Sequence, residues 1–272
     1  MNKEALWRIK VVGCMDPGKS LNLNRLGIET TLHTVFGADQ PGEFIENYLK
    51  KENLNFIKDI DPAGTNTHIN IMDKQGNRHP IHIIEPSFNP KIDLDRLEQV
   101  IKKQDYIALN VNNYCRKVIP IIKKHHKTIW CDLGDYEVDN AYFNDFFEVS
   151  THVTMSGIKL KDQYNVLKNT IEKGKRLAVI TNGSEGSIAQ TDKGEFIETP
   201  IIKEYKMVDT NGAGDSFFAG LLYGAINGYS IKKSLQIATI VAGLTINSTE
   251  LFNRKLSCEL VENEYQKYFS KD

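Results

Sequence analysis

Hydrophobic and polar positions repeat along the chain with two different periods, and the periods predict two kinds of element. Short apolar runs predict strands at RIKVV (8–12), TTLHTVF (30–36), DYIALNV (105–111), TIWCDL (128–133) and LAVITNG (177–183). Longer amphipathic stretches predict helices at 41–53, 94–103, 118–126 and 161–173. The strand–helix alternation after residue 90 predicts a parallel sheet that is covered by helices on both faces.

Residues 65–85 follow a different pattern. Apolar and polar residues alternate there with period two on either side of a turn at Asp73–Asn77, as in a half-exposed β-hairpin. We expect this hairpin to project from the sheet as a lid, with residues 7–13 as a candidate addition. The whole chain, 1–272, is then one domain.

The bulk composition narrows the class of protein. A chain of 272 residues that is 40% hydrophobic can bury one sizeable core. The net charge of -1 provides no excess of positive charge that would attract nucleic acid or an anionic membrane. The four cysteines form no C-x-x-C pair, and no apolar run approaches the ~20 residues of a membrane span. We therefore expect a soluble, cytoplasmic protein without nucleic-acid or membrane partners.

A glycine-rich string, DTNGAGDSFFAG at 209–220, leads from a strand end into an apolar helix. Amides at the start of a helix have no intrahelical acceptor, so they favour an anion such as a phosphoryl group. Asp215 stands among these amides, where a carboxylate can take the proton of an attacking hydroxyl. The local alternative is a carboxylate that merely caps the helix.

Several segments together resemble the PfkB (ribokinase-like) family of carbohydrate kinases. The string D-T-N-G-A-G-D-S-F at 209–217 resembles the second signature of that family. RLG at 25–27, VFGADQPGEFI at 35–45, TNTHINIMDKQGNR at 65–78 and VITNGSEGSIA at 179–189 are similar to other family segments. Within the family, residues 130–190 look most similar to fructoselysine 6-kinases.

The resemblance implies a three-layer α/β/α sandwich with a mostly parallel central sheet and a small β lid. It also implies transfer of the γ-phosphoryl of ATP to a sugar or sugar-amine hydroxyl, with Mg²⁺, with K⁺ as a further candidate cofactor, and with dimerisation through the lid. The roles implied for this chain are Asp215 as base; Gly212, Ala213 and Gly214 as anion hole; Thr181, Gly183, Gly186 and Asn247 as ATP ligands; and Asp209 as a ligand of the monovalent cation.

The chain departs from the family pattern at three places. Only 12 residues precede Gly13, so an N-terminal strand and its sugar-binding acid are expected to be missing. The first glycine signature, at whose start Gly13 is a substrate-binding candidate, has lost a glycine and an asparagine. The N-x-x-E motif for Mg²⁺ is replaced by Ser156-Gly157-Ile158-Lys159. Asp132 is a candidate replacement near Mg²⁺, and Asn110 and Asn112 are candidates for sugar hydroxyls, although such residues also form ordinary turns.

GCMDPGKS at 13–20 offers a rival interpretation, because it matches the phosphate-binding loop of P-loop NTPases. That hypothesis leaves NGAGD without a role, so we expect Lys19 to be a surface or rim residue, with contact to a substrate anion as the alternative. A third hypothesis is a nucleotide-binding or regulatory protein that keeps the fold but has impaired catalysis. The altered N-x-x-E motif favours it, and the intact Asp215 argues against it.

Overall fold

A six-stranded sheet with helices on both faces forms the centre of this computed structural model, which describes residues 10–13, 15–72 and 78–270. The strands are β1 Thr31–Phe36, β2 Asn55–Ile60, β3 Thr67–Met72, β4 Arg78–Ile84, β5 Tyr106–Asn110, β6 Thr128–Asp132, β7 His152–Ser156, β8 Leu177–Thr181, β9 Ser187–Thr191 and β10 Phe196–Thr199. The helices are α1 Met15–Arg25, α2 Gln40–Lys51, α3 Leu94–Ile101, α4 Ile119–Lys124, α5 Asn144–Val149, α6 Gln163–Glu172, α7 Ala213–Ile226, α8 Ile231–Ile246 and α9 Cys258–Tyr268.

The central sheet has the order β10–β9–β8–β7–β6–β5. Strands β5 to β8 run parallel, and β9 and β10 are antiparallel to their neighbours. Parallel strands end at the same edge, so the loops after β5, β6, β7 and β8 gather there. This confirms the prediction of a mostly parallel sheet, and ligands of such sheets bind beyond this edge.

Each face of this sheet has its own hydrophobic core. Consecutive residues of β8 point to opposite faces, so Val179 packs with α7 and α8, whereas Ile180 packs with the helices of the other face. A strand that is buried on both faces reads as a continuous apolar run, as LAVIT does. The three layers of the α/β/α sandwich follow from this alternation. In the described parts of the chain, no helix is long and apolar enough to cross a membrane.

Strands β3 and β4 form a separate antiparallel ribbon over residues 67–84. They coincide with the two arms of the predicted hairpin, whose turn at 73–77 lies outside the described residues. Ile69 lies opposite Ile81, and these two residues together with Ile71 and Ile83 are 46 to 55% exposed. The ribbon therefore presents apolar side chains to solvent.

Helix α1 excludes the rival hypothesis for the N-terminal region and corrects one expectation. It begins at Met15 and runs through Pro17, Gly18, Lys19 and Ser20, so the GCMDPGKS string does not form a phosphate-binding loop that precedes a helix. Pro17 is tolerated because the amides of a first helical turn have no intrahelical partner. The strand predicted at 8–12 is not seen at Lys10–Val12, and residues 8 and 9 lie outside the described residues.

Candidate active site

A cavity of about 310 Å³ lies at the carboxyl edge of the central sheet. Its walls come from the ends of β6, β7 and β8 and from the start of α7. The lining residues include Asp132, Gly134, Asp135, Thr154, Ser156, Thr181, Thr210, Gly212, Gly214 and Asp215. Five predicted site residues, Asp132, Thr181, Gly212, Gly214 and Asp215, thus share one cavity.

The glycine-rich turn before α7 shapes one wall of the cavity. Gly212 has φ +79°, and a Cβ at this position would lie 3.0 Å from backbone atoms of Leu251. A residue with a side chain would therefore be strained here as well as crowded. The Ala213 amide donates to the Thr210 carbonyl at 3.3 Å. The amides of Gly214 and Asp215 follow in the first turn, where a helix supplies no acceptor for them.

Asp215 is the carboxylate in the first turn of α7. Its Oδ1 lies 2.6 Å from Nζ of Lys19, and its side chain is 12% exposed. Burial raises the pKa of Asp215 to about 6, although the Lys19 charge acts in the opposite direction. A carboxyl with a pKa near 6 is ionised at neutral pH and is a stronger base than an ordinary aspartate.

Lys19 is buried, which corrects its assignment to the surface or rim. Its Nζ lies 2.9 Å from Asp132 Oδ2 as well as 2.6 Å from Asp215 Oδ1, and its side chain is 3% exposed. Burial alone disfavours the ammonium, but the two carboxylates overcome it and raise the pKa of Lys19 above its ordinary value. The residue is therefore a fixed positive charge between two negative ones.

Helix α1 packs closely against the start of α7. A Cβ on Gly18 would lie 2.9 Å from Asp215 Oδ2 and 3.1 Å from Asp215 Cβ. The buried Asn22 places its Nδ2 2.9 Å from Ser216 Oγ, 3.1 Å from the Leu251 carbonyl and 2.8 Å from the Gly18 carbonyl. These contacts fix α1, α7 and the loop at Leu251 relative to one another.

A second polar group surrounds Asp16, three residues before Lys19 on α1. The Asp16 carboxylate accepts hydrogen bonds from Asn110 and, at 3.1 Å, from Nδ2 of Asn112. Burial raises the pKa of Asp16. Oδ1 of the buried Asn110 has no hydrogen-bond partner among the described residues, so it is available to a donor. Asp16 was not identified from the sequence, whereas Asn110 and Asn112 were.

The other predicted ATP and cation ligands lie outside the lining of the cavity. Gly183 and Gly186 belong to the turn after β8, and Asn247 is the C-cap of α8. Asp209 accepts a hydrogen bond from the amide of Asn211 at 2.8 Å. Its own amide donates to the Ile246 carbonyl at 3.1 Å, which brings Asp209 beside the end of α8. Their predicted roles stay predictions.

The residues in place of the N-x-x-E motif do not bring an unpaired positive charge into the cavity. Lys159 forms an ion pair with Glu137, while Ser156 caps the following turn through the amide of Ile158. Asp132 accepts from Thr154 Oγ1 at 3.0 Å and from the Gly134 amide at 3.1 Å. In the parts of the chain that the structure describes, no group of three or more acidic, histidine or cysteine side chains forms a metal site by itself.

The carboxylates of the cavity nevertheless fit an Mg²⁺ ion that is bound to the phosphates of ATP. Mg²⁺ at phosphates keeps several waters and takes one or two carboxylates rather than a full protein cage. Asp132 and the exposed Asp135 both line the cavity, beside the amides at the start of α7.

Known proteins resemble this chain in sequence and in fold. Residues 148–254 match the model of the pfkB family carbohydrate kinases. A nucleoside kinase from Methanocaldococcus jannaschii is 39% identical over 88% of this chain and 80% of its own length. An ATP-dependent 6-phosphofructokinase from Thermoanaerobacterium thermosaccharolyticum is 36% identical over 82% of this chain and 75% of its own length.

The fold is shared with solved structures of the ribokinase type. The crystal structure of an E. coli protein assigned as ribokinase II, in complex with ATP and Mg²⁺, superimposes with a TM-score of 0.81 at 14% identity. The match covers 98% of this chain and 92% of that one. The fold, the glycine-rich turn and the two relatives above 30% identity lead to one conclusion: the chain is a member of the PfkB family of carbohydrate kinases.

Proposed function

We propose that the protein transfers the γ-phosphoryl group of ATP to a hydroxyl of a sugar or sugar-amine, with Asp215 as the general base. The observation that carries this proposal is the position of Asp215. Its carboxylate lies in the first turn of α7, at the wall of a cavity that the amides at the start of the same helix also line. A base and an anion site on one helical turn are what in-line phosphoryl transfer requires.

The chain's own groups divide the chemistry between them. Asp215 accepts the proton of the attacking hydroxyl while the hydroxyl oxygen bonds to the γ-phosphorus. The bond between the γ-phosphorus and the β-phosphate oxygen breaks, and ADP is released. The amides of Gly212, Gly214 and Asp215 hold the oxygens of the transferred group, where negative charge accumulates, whereas the Ala213 amide already donates to the Thr210 carbonyl. Mg²⁺, held beside Asp132 and Asp135, would neutralise phosphate charge when ATP is bound.

The sugar or sugar-amine that receives the phosphoryl group is proposed to bind beside Asp16. A carboxylate and the unpartnered Oδ1 of Asn110 are both acceptors, so they suit ligand hydroxyls or amines, which donate. Asn112 and Gly13 are proposed to contact the same substrate. The relatives act on different acceptors by their names, a nucleoside and a fructose phosphate, so a fructosamine is one candidate among several.

The nucleotide is assigned to the side of β8. Thr181 lines the cavity, and Gly183, Gly186 and Asn247 are proposed to surround the rest of ATP. Asp209 is proposed to hold K⁺ together with nearby carbonyls. Use of ATP is consistent with a cytoplasmic location, which stays a prediction.

We further propose a single domain whose β3–β4 ribbon acts as a lid and pairs with the ribbon of a second copy. The exposed isoleucines of the ribbon support this arrangement, because a two-stranded ribbon with an apolar face is marginal on its own.

The test is an ADP-release screen over ketoses, nucleosides, deoxy-ketosugar acids and fructosamines with the wild type and two variants. Asp215→Asn should reduce kcat by about 10²- to 10⁴-fold, the usual contribution of a general base. Asp95→Asn is the matched control, because Asp95 is also a carboxylate in a first helical turn, but on α3 and exposed to solvent. Equal activity of Asp215→Asn and the wild type would refute the proposal.

The regulatory hypothesis has one supporting observation, the ion pair that occupies Asp215 Oδ1. It predicts that calorimetry detects binding of MgATP while no acceptor in the screen gives ADP. Turnover on any acceptor that is lost in Asp215→Asn would rule it out.

A further inference from the structure

The charges around the proposed base are unevenly distributed. Three carboxylates, Asp16, Asp132 and Asp215, interact electrostatically with a single ammonium, that of Lys19. Two of them lie within 2.6 and 2.9 Å of its Nζ. Like charges so close together in a buried site oppose each other's ionisation unless a cation compensates them.

Lys19 faces the protein rather than the cavity. Asp132 and Asp215 both line the cavity, whereas Lys19 is not among its lining residues in the described chain. Its Nζ lies 5.4 Å from the ring centre of Phe218, a buried residue of α7. The ammonium therefore contacts both carboxylates from outside the cavity lining, while Asp132 and Asp215 themselves line the cavity.

The position of Lys19 is set from three directions. Asn22, one turn further along α1, is tied to Ser216 and Leu251. Gly18 leaves no room for a side chain between α1 and Asp215. Asp132 is itself held by Thr154 and Gly134. When the groups on both sides are held in place, a charge-assisted hydrogen bond fixes their relative orientation as well as stabilising them.

We propose that Lys19 is a positioning residue for Asp215: its ammonium is the built-in counter-ion of Asp132 and Asp215 and orients the base at the cavity wall. The inference rests on the proposed function for its catalytic part. It assigns Lys19 no contact with the transferred phosphoryl group or with a substrate anion.

A double-mutant cycle of wild type, Lys19→Met, Asp132→Asn and the double variant tests the inference. Lys19→Met keeps the length of the side chain and removes its charge, and should lower kcat by about 10²-fold while KM for ATP changes less than about threefold. Because the double variant removes both members of the pair, its kcat should be no lower than that of the single variant with the lower kcat. Multiplicative losses in kcat would overturn the inference.

Thermal unfolding gives a readout that does not need turnover. Breaking a buried pair from one side should lower the unfolding midpoint of Lys19→Met by roughly 10 °C, and the double variant should recover part of that loss. Additive shifts of the midpoint would mean that Lys19 is not the counter-ion of Asp132. If the wild type phosphorylates nothing in the screen, the proposed function fails. The unfolding midpoints of the four proteins would still show whether Lys19 is the counter-ion of Asp132.

Lys175→Met is the matched control. Lys175 is also buried, but its Nζ donates to the carbonyls of Glu148 and Ser150 rather than to the site. It should lose stability and keep its kcat. An equal loss of kcat in Lys175→Met and Lys19→Met would reduce the effect of Lys19 to general destabilisation and overturn the inference.

Discussion

Burial and the Lys19 charge act on Asp215 in opposite directions, and their balance sets the pH range of the proposed reaction. Burial is the larger effect and raises the pKa of Asp215 from 3.8 to about 6. The base must be ionised to accept a proton, so kcat/KM should fall as the pH drops through about 6 and level off above about pH 7.

The measurement is kcat/KM for the acceptor at saturating MgATP from about pH 4.5 to 8.5, with stability checked at each pH. A kcat/KM that stays constant down to the lower end of this range, as a base with the ordinary aspartate pKa of 3.8 would give, would contradict the effect of burial on Asp215.

Single residues differed in how well the sequence revealed them. Asp215 and its glycines were recognisable because their chemistry is local, a carboxylate and free amides within one turn. Lys19 was misassigned because its partners Asp132 and Asp215 lie 113 and 196 positions away. Nothing near a Pro-Gly-Lys-Ser string signals such partners. Asp16 was overlooked for the same reason, since Asn110 and Asn112 lie at and just after the end of the distant strand β5.

At the scale of elements, the contact of α1 with α7 gives a prediction about Gly18. Alanine normally favours a helix over glycine by up to about 1 kcal/mol. At this position, however, the new methyl would meet Asp215 at 2.9 to 3.2 Å. Gly18→Ala should therefore displace the base and lower kcat about tenfold or more.

Steady-state kinetics of Gly18→Ala beside Ser20→Ala checks this prediction. Ser20 lies on the same helix, and its hydroxyl donates to the Asp16 carbonyl at 2.9 Å. If Gly18→Ala retains the wild-type kcat, the packing of α1 against Asp215 does not control the base.

The predicted elements that were found share one property, a strong hydrophobic pattern. Strands β6 and β8 are buried on both faces and read as apolar runs. Strand β2 is mostly half-buried, with exposed ends, and it was not predicted. Helix α1 was obscured by Pro17 and Gly18, which mark turns in most contexts but are accommodated in its first two turns.

At the scale of the whole molecule, the exposed isoleucines of the β3–β4 ribbon predict association. A dimer through the ribbon should dissociate in Ile69→Lys/Ile83→Lys, because opposed lysines would be buried against each other. Light scattering after size exclusion at about 10 μM should give twice the chain mass for the wild type and a single chain mass for the variant.

Val138→Lys provides the control, since Val138 is 53% exposed and lies outside the ribbon. A wild-type protein that elutes as a monomer at this concentration would contradict lid pairing.

The overall architecture was predictable because strand–helix alternation and the glycine-rich signature are both encoded locally. The acceptor was not predictable. The residues proposed to bind it come from α1 and the end of β5, which meet only in the folded chain.

The contacts that fix the base also determine when during synthesis it can form. Lys19 and Asp215 are 196 positions apart, and Asn22 and Ser216 are 194 apart. At ~5–20 residues per second, α1 is made roughly 10 to 40 s before its partner on α7. Until then Lys19 lacks the carboxylate of Asp215, and a nascent or truncated chain that lacks α7 contains Asp16 and Asp132 without the proposed base. The centre is thus among the last parts of the molecule to be assembled, because closing so long a loop must precede its contacts.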